Sequence, residues 1–360
     1  MKKYAGMLVA LLFVLSSATG FAQEYYTLPE IREQAAEGWH ETYTDQYGRE
    51  IAVDVDVQVF GKEAAPVLEV GLPDYIKYTS IENNPYESVM NVRKSGGQRT
   101  RYYVKSGEKV DLDKVYGADI GNDLTLREAY DYLREHLEKQ GIPTEEFLYD
   151  QPRDFEVLCN TSQATGEVLS KPFYNLDLWP TLHEMPILAH VLDGVQKAGW
   201  PWYRAELFYM IRDRGEHSIV VNTLVERQML AEDIPLCSLE QVIENLESEI
   251  EAGYIQKVYS IRFGYSLYND PAIQSRTPVS VYDSNCPFYA VPSWVIECIF
   301  AEKPKETVLD SIDEDIDEHA YAKKITINAQ TGKMLDPFDK SKYGFADGDY
   351  KGFISWDDVR

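Results

Sequence analysis

Two segments of the chain place apolar residues at the spacing of an amphipathic helix. They span residues 125–142 and 238–255, and in both the apolar positions fall at offsets 0, 3, 4, 7 and 11. Residues at these offsets share one face of a helix. The pattern therefore predicts two helices, each burying one stripe. The stripes are Leu126, Ala129, Tyr130, Leu133 and Leu137 in the first segment, and Leu239, Val242, Ile243, Leu246 and Ile250 in the second.

Both segments also carry the signals that begin and end helices. At each start a Ser or Thr precedes a Glu or Gln by three residues, which is the pattern of a capping box. Each pattern stops at a glycine, which suits the left-handed position after a helix. The residues are Thr125, Glu128 and Gly141 in the first segment, and Ser238, Gln241 and Gly253 in the second. Two matched helices predict a duplicated unit. The alternative is that a common amphipathic pattern simply occurs twice.

Alternation of apolar and polar residues predicts strands in the rest of the chain. The predicted strands are 48–60, 66–70, 256–268, 288–300 and 324–328, and the predicted hairpins are 155–169 and 205–221. The stretch ITINAQTGKMLD, at 325–336, has the pattern of a strand, a tight turn and the start of a second strand. Residues 306–318 hold seven acidic residues and no basic ones, so we expect a solvated loop there.

These elements predict an α+β fold of two related units, each a helix packed on its own antiparallel sheet. We expect an N-terminal α+β domain at 23–235, a C-terminal α+β domain at 236–337 and an acidic tail at 338–360. In each unit one face of the sheet would pack on the helix and the other would face water.

The first 22 residues have the organisation of an export signal. Lys2 and Lys3 precede an apolar core at 7–15, and the small residues Gly20 and Ala22 stand at positions −3 and −1 of a cut. We expect cleavage after Ala22, with an uncleaved interfacial helix as the alternative. The mature chain is expected to be secreted. It contains no later run of about 18 apolar residues, so no transmembrane segment is predicted.

Charge and cysteine content narrow the partners and the chemistry. The formal net charge is −25, which disfavours nucleic acid and anionic membrane surfaces as partners because their phosphates would be repelled.

The four cysteines are Cys159, Cys237, Cys286 and Cys298. Cys298 lies in an apolar run, where it is either a buried free thiol or bridged to Cys286 or Cys237. No CxxC pair is present, so neither a zinc ribbon nor a thioredoxin-like centre is predicted.

Three stretches carry a resemblance to a known family. They are the helix start SLEQ at 238–241, the strand VPSWVI at 291–296 and the ending ITINAQTG at 325–332. They resemble the PepSY-type domains of extracytoplasmic proteins in Gram-positive bacteria, of protease propeptides and of sensor-linked regulators. They are also similar to an uncharacterised group of secreted clostridial proteins and lipoproteins. The resemblance implies a buried Trp294, a turn at Thr331 and Gly332, and no catalytic residue. The chain is therefore expected not to be an enzyme.

Motifs that would indicate an enzyme are weak. His183, Glu184 and His190 are the most tempting set, but a zincin needs two His four residues apart on a helix. Here the spacing is seven, with Pro186 between them, which would put the two rings roughly 10 Å apart along a helix. We interpret these as ordinary loop or core histidines. G-x-S-x-G, P-loop and G-x-G-x-x-G motifs do not occur.

The stretch DGDYKGFISWDD, at 347–358, resembles a twelve-residue calcium loop of the EF-hand or dockerin kind. The candidate metal ligands are Asp347, Asp349, Phe353, Ser355 and Asp358. Lys351 occupies a position that normally supplies an oxygen ligand. The alternative is an acidic tail punctuated by glycine that resembles such a loop by composition alone. Calcium at this stretch is the one cofactor for which the sequence offers a candidate.

The aromatic loop at 199–203 offers a second candidate site. Trp200, Trp202 and Tyr203 either pack on a sheet edge or form a platform for a ligand.

The first hypothesis for function is a secreted, non-enzymatic interaction or regulatory module with a protein partner. The alternative is a cell-surface protein that binds sugars or peptides through exposed aromatic residues. A hydrolase of unrecognised type is a second alternative, which requires a deep pocket with a His or a carboxylate of shifted pKa.

Overall fold

A computed structural model provides the structure of the chain. It describes residues 25–71, 78–82, 97–103, 124–142, 147–148, 154–162, 164–165, 167, 169, 171–190, 206–222, 224–269, 288–301, 322–332 and 334–335. Three helices and seventeen strands lie in these residues. Among them, no helix is both long enough and apolar enough to cross a membrane.

The bounds of the elements follow in chain order. The helices are α1 (Leu28–Ala35), α2 (Leu126–Lys139) and α3 (Leu239–Glu251). The strands are β1 (Trp39–Thr44), β2 (Glu50–Val55), β3 (Val57–Val59), β4 (Val67–Gly71), β5 (Tyr78–Glu82), β6 (Gly97–Tyr103), β7 (Phe147–Leu148), β8 (Asp154–Ser162), β9 (Phe173–Leu182), β10 (Met185–His190), β11 (Glu206–Asp213), β12 (Glu216–Asn222), β13 (Val225–Ala231), β14 (Ile255–Asn269), β15 (Phe288–Phe300), β16 (Lys323–Asn328) and β17 (Met334–Leu335).

One large mixed sheet dominates the fold. Its hydrogen-bonded path runs β13-β4-β15-β14-β10-β9-β11-β12-β5. Shorter strands branch from this path: β3 pairs with β14, β16 with β15 and β17 with β16, whereas β7 and β8 pair with β9 and β6 pairs with β8. Most pairs are antiparallel, but β14 runs parallel to both β10 and β3. Strands β1 and β2 form a separate two-stranded sheet.

The predicted α+β fold of two related units, each a helix on its own antiparallel sheet, is wrong. The protein is mostly β, and all described strands except β1 and β2 join into one large, curled mixed sheet. Strand β10 makes the join, because it pairs with β9 at Met185 and Leu182 and with β14 at Ala189 and Ser266. Strand β14 is far from β10 in sequence, so local periodicity carries no sign of that pairing. The duplicated unit is therefore not seen.

Strands from both sides of the proposed domain boundary at residue 235 contribute to this sheet. Strand β4 pairs with β15, and β3 and β10 pair with β14. The domain limits themselves stay a prediction.

The first predicted helix is confirmed as α2, with its buried stripe. All five stripe residues are at most 2% exposed and pack against β9, β11 and β12. The Thr125 side chain accepts a hydrogen bond from the Glu128 N–H, and the Glu128 carboxylate accepts one from the Thr125 N–H. Gly141 follows the helix with a φ of 71°. Local sequence signals were sufficient to predict this helix, because the N-cap, the apolar stripe and the terminal glycine all indicate the same segment.

The second predicted helix is confirmed as α3. Leu239, Val242, Leu246 and Ile250 are buried in the large core, whereas Ile243 is only partly buried. Ser238 Oγ accepts a hydrogen bond from the Gln241 N–H, with N and Oγ 3.1 Å apart. Gly253 follows with a φ of 79°.

The C-terminal strands are confirmed. Strands β14, β15 and β16 match three predicted strands within one residue, and β16 pairs with β17 through the predicted turn. The Asn328 side-chain oxygen accepts hydrogen bonds from the Gln330 and Thr331 N–H groups, which holds that turn. Trp294 is fully buried and meets Phe263 edge-on, with ring centroids 5.2 Å apart. The predicted hairpin at 205–221 is confirmed as β11 and β12.

Candidate binding pocket at the β9–β10 turn

An unusual two-residue turn connects β9 to β10. Leu182 pairs with Met185, so His183 and Glu184 form the whole turn, with φ values of 49° and 62°. Two positive φ values suit the right-handed twist of a hairpin but are normally supplied by Gly, Asn or Asp. A residue with a Cβ carries a cost of roughly 1–2 kcal/mol in this region. Residues other than glycine that adopt this backbone conformation despite its cost are concentrated at functional sites, so this turn is a candidate site.

Both turn side chains are held by charged partners from other segments. His183 Nε2 lies 2.5 Å from a carboxylate oxygen of Glu226, on β13. Glu184 forms an ion pair with Lys62, in the connection between β3 and β4. The turn is thereby tied to β13 on one side and to that connection on the other.

The connection between β3 and β4 is itself anchored. Arg32, on α1, donates hydrogen bonds to the carbonyl oxygens of Gly61 and Lys62. Gly61 has a φ of 87°, and a Cβ placed on it would lie 2.8 Å from Met185 Cγ. Further along, the Ala65 N–H donates to an Asp233 carboxylate oxygen at 2.9 Å. The connection is therefore packed against the β9–β10 turn and bonded to the segment that follows β13.

These segments surround an open pocket of about 460 Å³. We call it the turn pocket and define it by its lining: Lys62, Glu63, Ala64, Pro66, His183, Glu184, Met229 and Glu232. Lys62 compensates Glu184, and Glu226 faces His183. Among the residues that the structure describes, neither Glu63 nor Glu232 has an ion-pair partner within 4.0 Å. The pocket therefore combines an apolar wall with an excess of negative charge.

Strand β13 borders the turn pocket and ends the nine-strand path. Glu226, Arg227, Gln228 and Met229 are exposed along it. Within the described ranges, β13 pairs only with β4, and its outer edge faces no strand. The outer edge of such a strand presents backbone N–H and C=O groups that can pair with another chain.

The predicted candidates meet different outcomes. His183 and Glu184 lie in a hairpin turn and not on a helix, and His190 lies in β10. Across the described part of the chain, no group of three or more His, Cys, Asp and Glu side chains is arranged to hold a metal ion. Sequence reasoning noticed the turn residues but missed Lys62 and Met229. The lining comes from separate segments with no shared motif, so no sequence signal linked them.

Two other predicted sites fall outside the described residues. These are the aromatic loop with Trp200, Trp202 and Tyr203, and the calcium-loop candidates Asp347, Asp349, Phe353, Ser355 and Asp358. The predicted export signal at 1–22 and the acidic segment at 306–318 lie outside them as well. Cys237 and Cys298 are both free and buried, so the bridge between them that the sequence left open is not formed.

Comparison with known proteins adds little. No family model matches the chain, and no curated protein matches it. It is similar to a solved structure of an uncharacterised protein from Eubacterium rectale ATCC 33656, with 11% identity and a TM-score of 0.45. The match covers 86% of this chain and 99% of the other. The resemblance to PepSY-type domains stays a prediction.

Proposed function

We propose that the protein is an extracytoplasmic interaction module that binds an extended, basic polypeptide segment. The segment would add as a strand to the outer edge of β13 and place one side chain in the turn pocket. The observation that carries this proposal is that an exposed edge strand borders a pocket. In binding by strand addition, main-chain hydrogen bonds provide affinity, and a pocket beside the edge provides side-chain selectivity.

Charge and shape favour a Lys or Arg side chain in the turn pocket. The apolar wall, which includes Pro66 and Met229, suits the methylene stem of such a residue. Glu63 and Glu232 lie on the same lining and supply the opposite charge. The formal charge of −25 on the whole chain also attracts a basic partner over longer distances.

This proposal keeps the function in the class of binding. The export signal at 1–22 supports an extracytoplasmic setting, where the partner would be another exported or surface protein. The acidity of the chain disfavours nucleic acid as the partner. No catalytic step is needed at the turn pocket for this role.

Calorimetry with synthetic peptides tests the proposal. The probe is an acetylated and amidated hexapeptide, Thr-Val-Thr-Arg-Thr-Val, compared with versions carrying norleucine or Glu in place of Arg. We expect the Arg peptide to bind most tightly and the Glu peptide most weakly. Two further peptides carry N-methyl groups on alternate backbone nitrogens, one peptide for each of the two alternating sets. At least one of the two should fail to bind, because N-methylation removes the N–H donors that a paired strand needs.

Paired variants locate the binding. Glu63→Gln with Glu232→Gln should weaken the Arg peptide by between about twofold and thirtyfold, because each partly exposed ion pair contributes about 0.2–1 kcal/mol. Glu240→Gln with Glu244→Gln removes the same charge from the exposed face of α3 and should leave affinity unchanged. The proposal fails if no peptide binds. It also fails if both pairs of substitutions weaken binding equally.

A further inference from the structure

A second cluster of polar side chains lies at the opposite end of the sheet path, beneath α2. We call it the histidine cluster and define it as Ser80, Tyr132, His136, Arg214 and His217. Ser80 is on β5 and His217 on β12, whereas Tyr132 and His136 are on α2. Arg214 lies in the turn between β11 and β12. None of these residues lines the turn pocket.

The hydrogen bonds of His217 fix which of its ring nitrogens carries the proton. His217 is 2% exposed. Its Nδ1 lies 3.2 Å from the Arg214 carbonyl oxygen, and a carbonyl oxygen can only accept. Nδ1 therefore donates, which leaves Nε2 as the acceptor in the neutral ring. Ser80 Oγ lies 3.2 Å from Nε2 and donates to it.

Neighbouring side chains hold the His217 ring in place. The Tyr132 hydroxyl donates to the same Arg214 carbonyl oxygen at 3.2 Å, and its ring meets the His217 ring edge-on at 5.5 Å. The His136 ring lies 5.5 Å from His217 on another side. Burial, followed by the charges of His217 and Lys139, lowers the pKa of His136. The lowered pKa favours the neutral form of His136.

Strand register explains how Ser80 and His217 meet. Ser80 stands opposite Ile219 in the antiparallel pair of β5 and β12. His217 is two residues from Ile219, so it projects from the same face of the sheet. Ser80 is half-buried on the last strand of the path. A serine, a histidine base and a third group that orients the base form the arrangement of an activated nucleophile.

We propose that Ser80 is a nucleophile, with His217 as its general base, at a site that accepts an acyl group from an activated ester. Ser80 Oγ bonds to the carbonyl carbon of the ester, and its proton passes to His217 Nε2. The bond from that carbon to the leaving oxygen breaks, and His217 returns the proton to the leaving alcohol. Water attacks acyl-Ser80 in the same way and releases the carboxylic acid. This activity goes beyond peptide binding and does not depend on the turn pocket.

Covalent labelling tests the assignment on the full chain. The probe is a fluorophosphonate, from which Ser80 Oγ displaces fluoride to form a phosphonylated serine. We expect one adduct by intact mass, located at Ser80 by peptide mapping, and p-nitrophenyl acetate should give an acetyl group at the same residue. His217→Gln should slow labelling by at least about 100-fold, the lower end of what a general base contributes. Ser218→Ala changes a neighbouring serine of β12 and should label at the rate of the unchanged protein.

The wild-type result decides the proposal even if His217→Gln does not fold. Absence of an adduct at Ser80, or an adduct only at other residues, overturns it. Equal labelling rates in a folded His217→Gln variant and in the unchanged protein overturn it as well. In Ser80→Ala, whose smaller side chain leaves the strand intact, the adduct should disappear.

Discussion

Gly264 is the position where a single added carbon should disturb the join between the two parts of the sheet. It lies on β14 beside β10. A Cβ placed on it would be 2.7 Å from the Pro186 carbonyl oxygen and 2.8 Å from Leu188 Cδ1. Leu188 is 2% exposed and belongs to a small core cluster that bridges β10 and β15. Neither the backbone oxygen nor the buried side chain can move away freely, so β10 must shift.

The size of the effect follows from two opposing contributions. Overpacking at a buried position costs about 1–3 kcal/mol, whereas Gly→Ala stabilises by about 0.4–1 kcal/mol through the unfolded chain. The two contributions leave a net loss of about 0–2.6 kcal/mol. Because the two nearest contacts fall under 3.0 Å, we expect Gly264→Ala to lower the free energy of unfolding by an amount in the upper half of that range, about 1.3–2.6 kcal/mol. Gly215→Ala is the matched control. Its nearest contact would be 3.5 Å and its φ is not positive, so Gly215→Ala should raise the free energy of unfolding by about 0.4–1 kcal/mol.

Urea denaturation followed by circular dichroism and by tryptophan fluorescence measures both variants. Because one sheet links the two large cores through β9, β10 and β14, the two probes should report a single coincident transition. Equal stability for Gly264→Ala and Gly215→Ala would contradict the close packing of β10 against β14. Two separate transitions in the unchanged protein would contradict the single sheet.

Three further predictions concern the core. Leu246→Ala should lower the free energy of unfolding by about 2–5 kcal/mol, because the Leu246 side chain is fully buried on α3. In the same urea titration, the control Glu240→Ala, on the exposed face of α3, should change the free energy of unfolding by less than about 0.5 kcal/mol. Burial raises the pKa of Asp45, but hydrogen bonds from Arg49 and Tyr47 outweigh it and lower the pKa below the ordinary 3.8. The stability that Asp45 adds over Asp45→Asn should therefore be complete above about pH 4 and shrink as the pH falls further; a difference that is constant down to pH 2 would contradict it. Burial raises the pKa of Cys237 to about 11 and also raises that of Cys298, so peptide mapping after thiol alkylation should find both unmodified in the native protein and modified in urea.

Segments that bury a single face could be predicted from the sequence. Both long helices show a clear period, because one side of each meets the core. Strand β14 also alternates in sequence, although its polar residues Ser260, Arg262 and Ser266 are buried as well. Strand β9 lacks such a pattern. Nine of its ten residues are buried, on both faces, so its sequence FYNLDLWPTL does not alternate. Strand β10 follows it after only two residues and contains Pro186, which argues against a central strand. The two strands that unite the sheet were therefore the least visible in the sequence.

The turn pocket shows a similar limit. His183 and Glu184 do not have the Asn-Gly or Gly-rich chemistry that predicts a two-residue hairpin turn, and they were considered only as metal ligands. Their contacts with Lys62 and Glu226 depend on the long-range path of the chain. No local pattern contains that information.

Hydrogen–deuterium exchange with the Arg hexapeptide tests the central claim most directly, because it reports on the backbone groups that the peptide is proposed to occupy. At a peptide concentration well above its dissociation constant, amides of β13, in peptides spanning 225–231, should exchange more slowly than in the free protein. Amides of β1, at 39–44, should exchange at the same rate in both states and serve as the internal control. Slower exchange confined to β13 and the lining of the turn pocket is the result that the account predicts. Unchanged exchange in β13 at saturating peptide, or protection only in other strands, would contradict it.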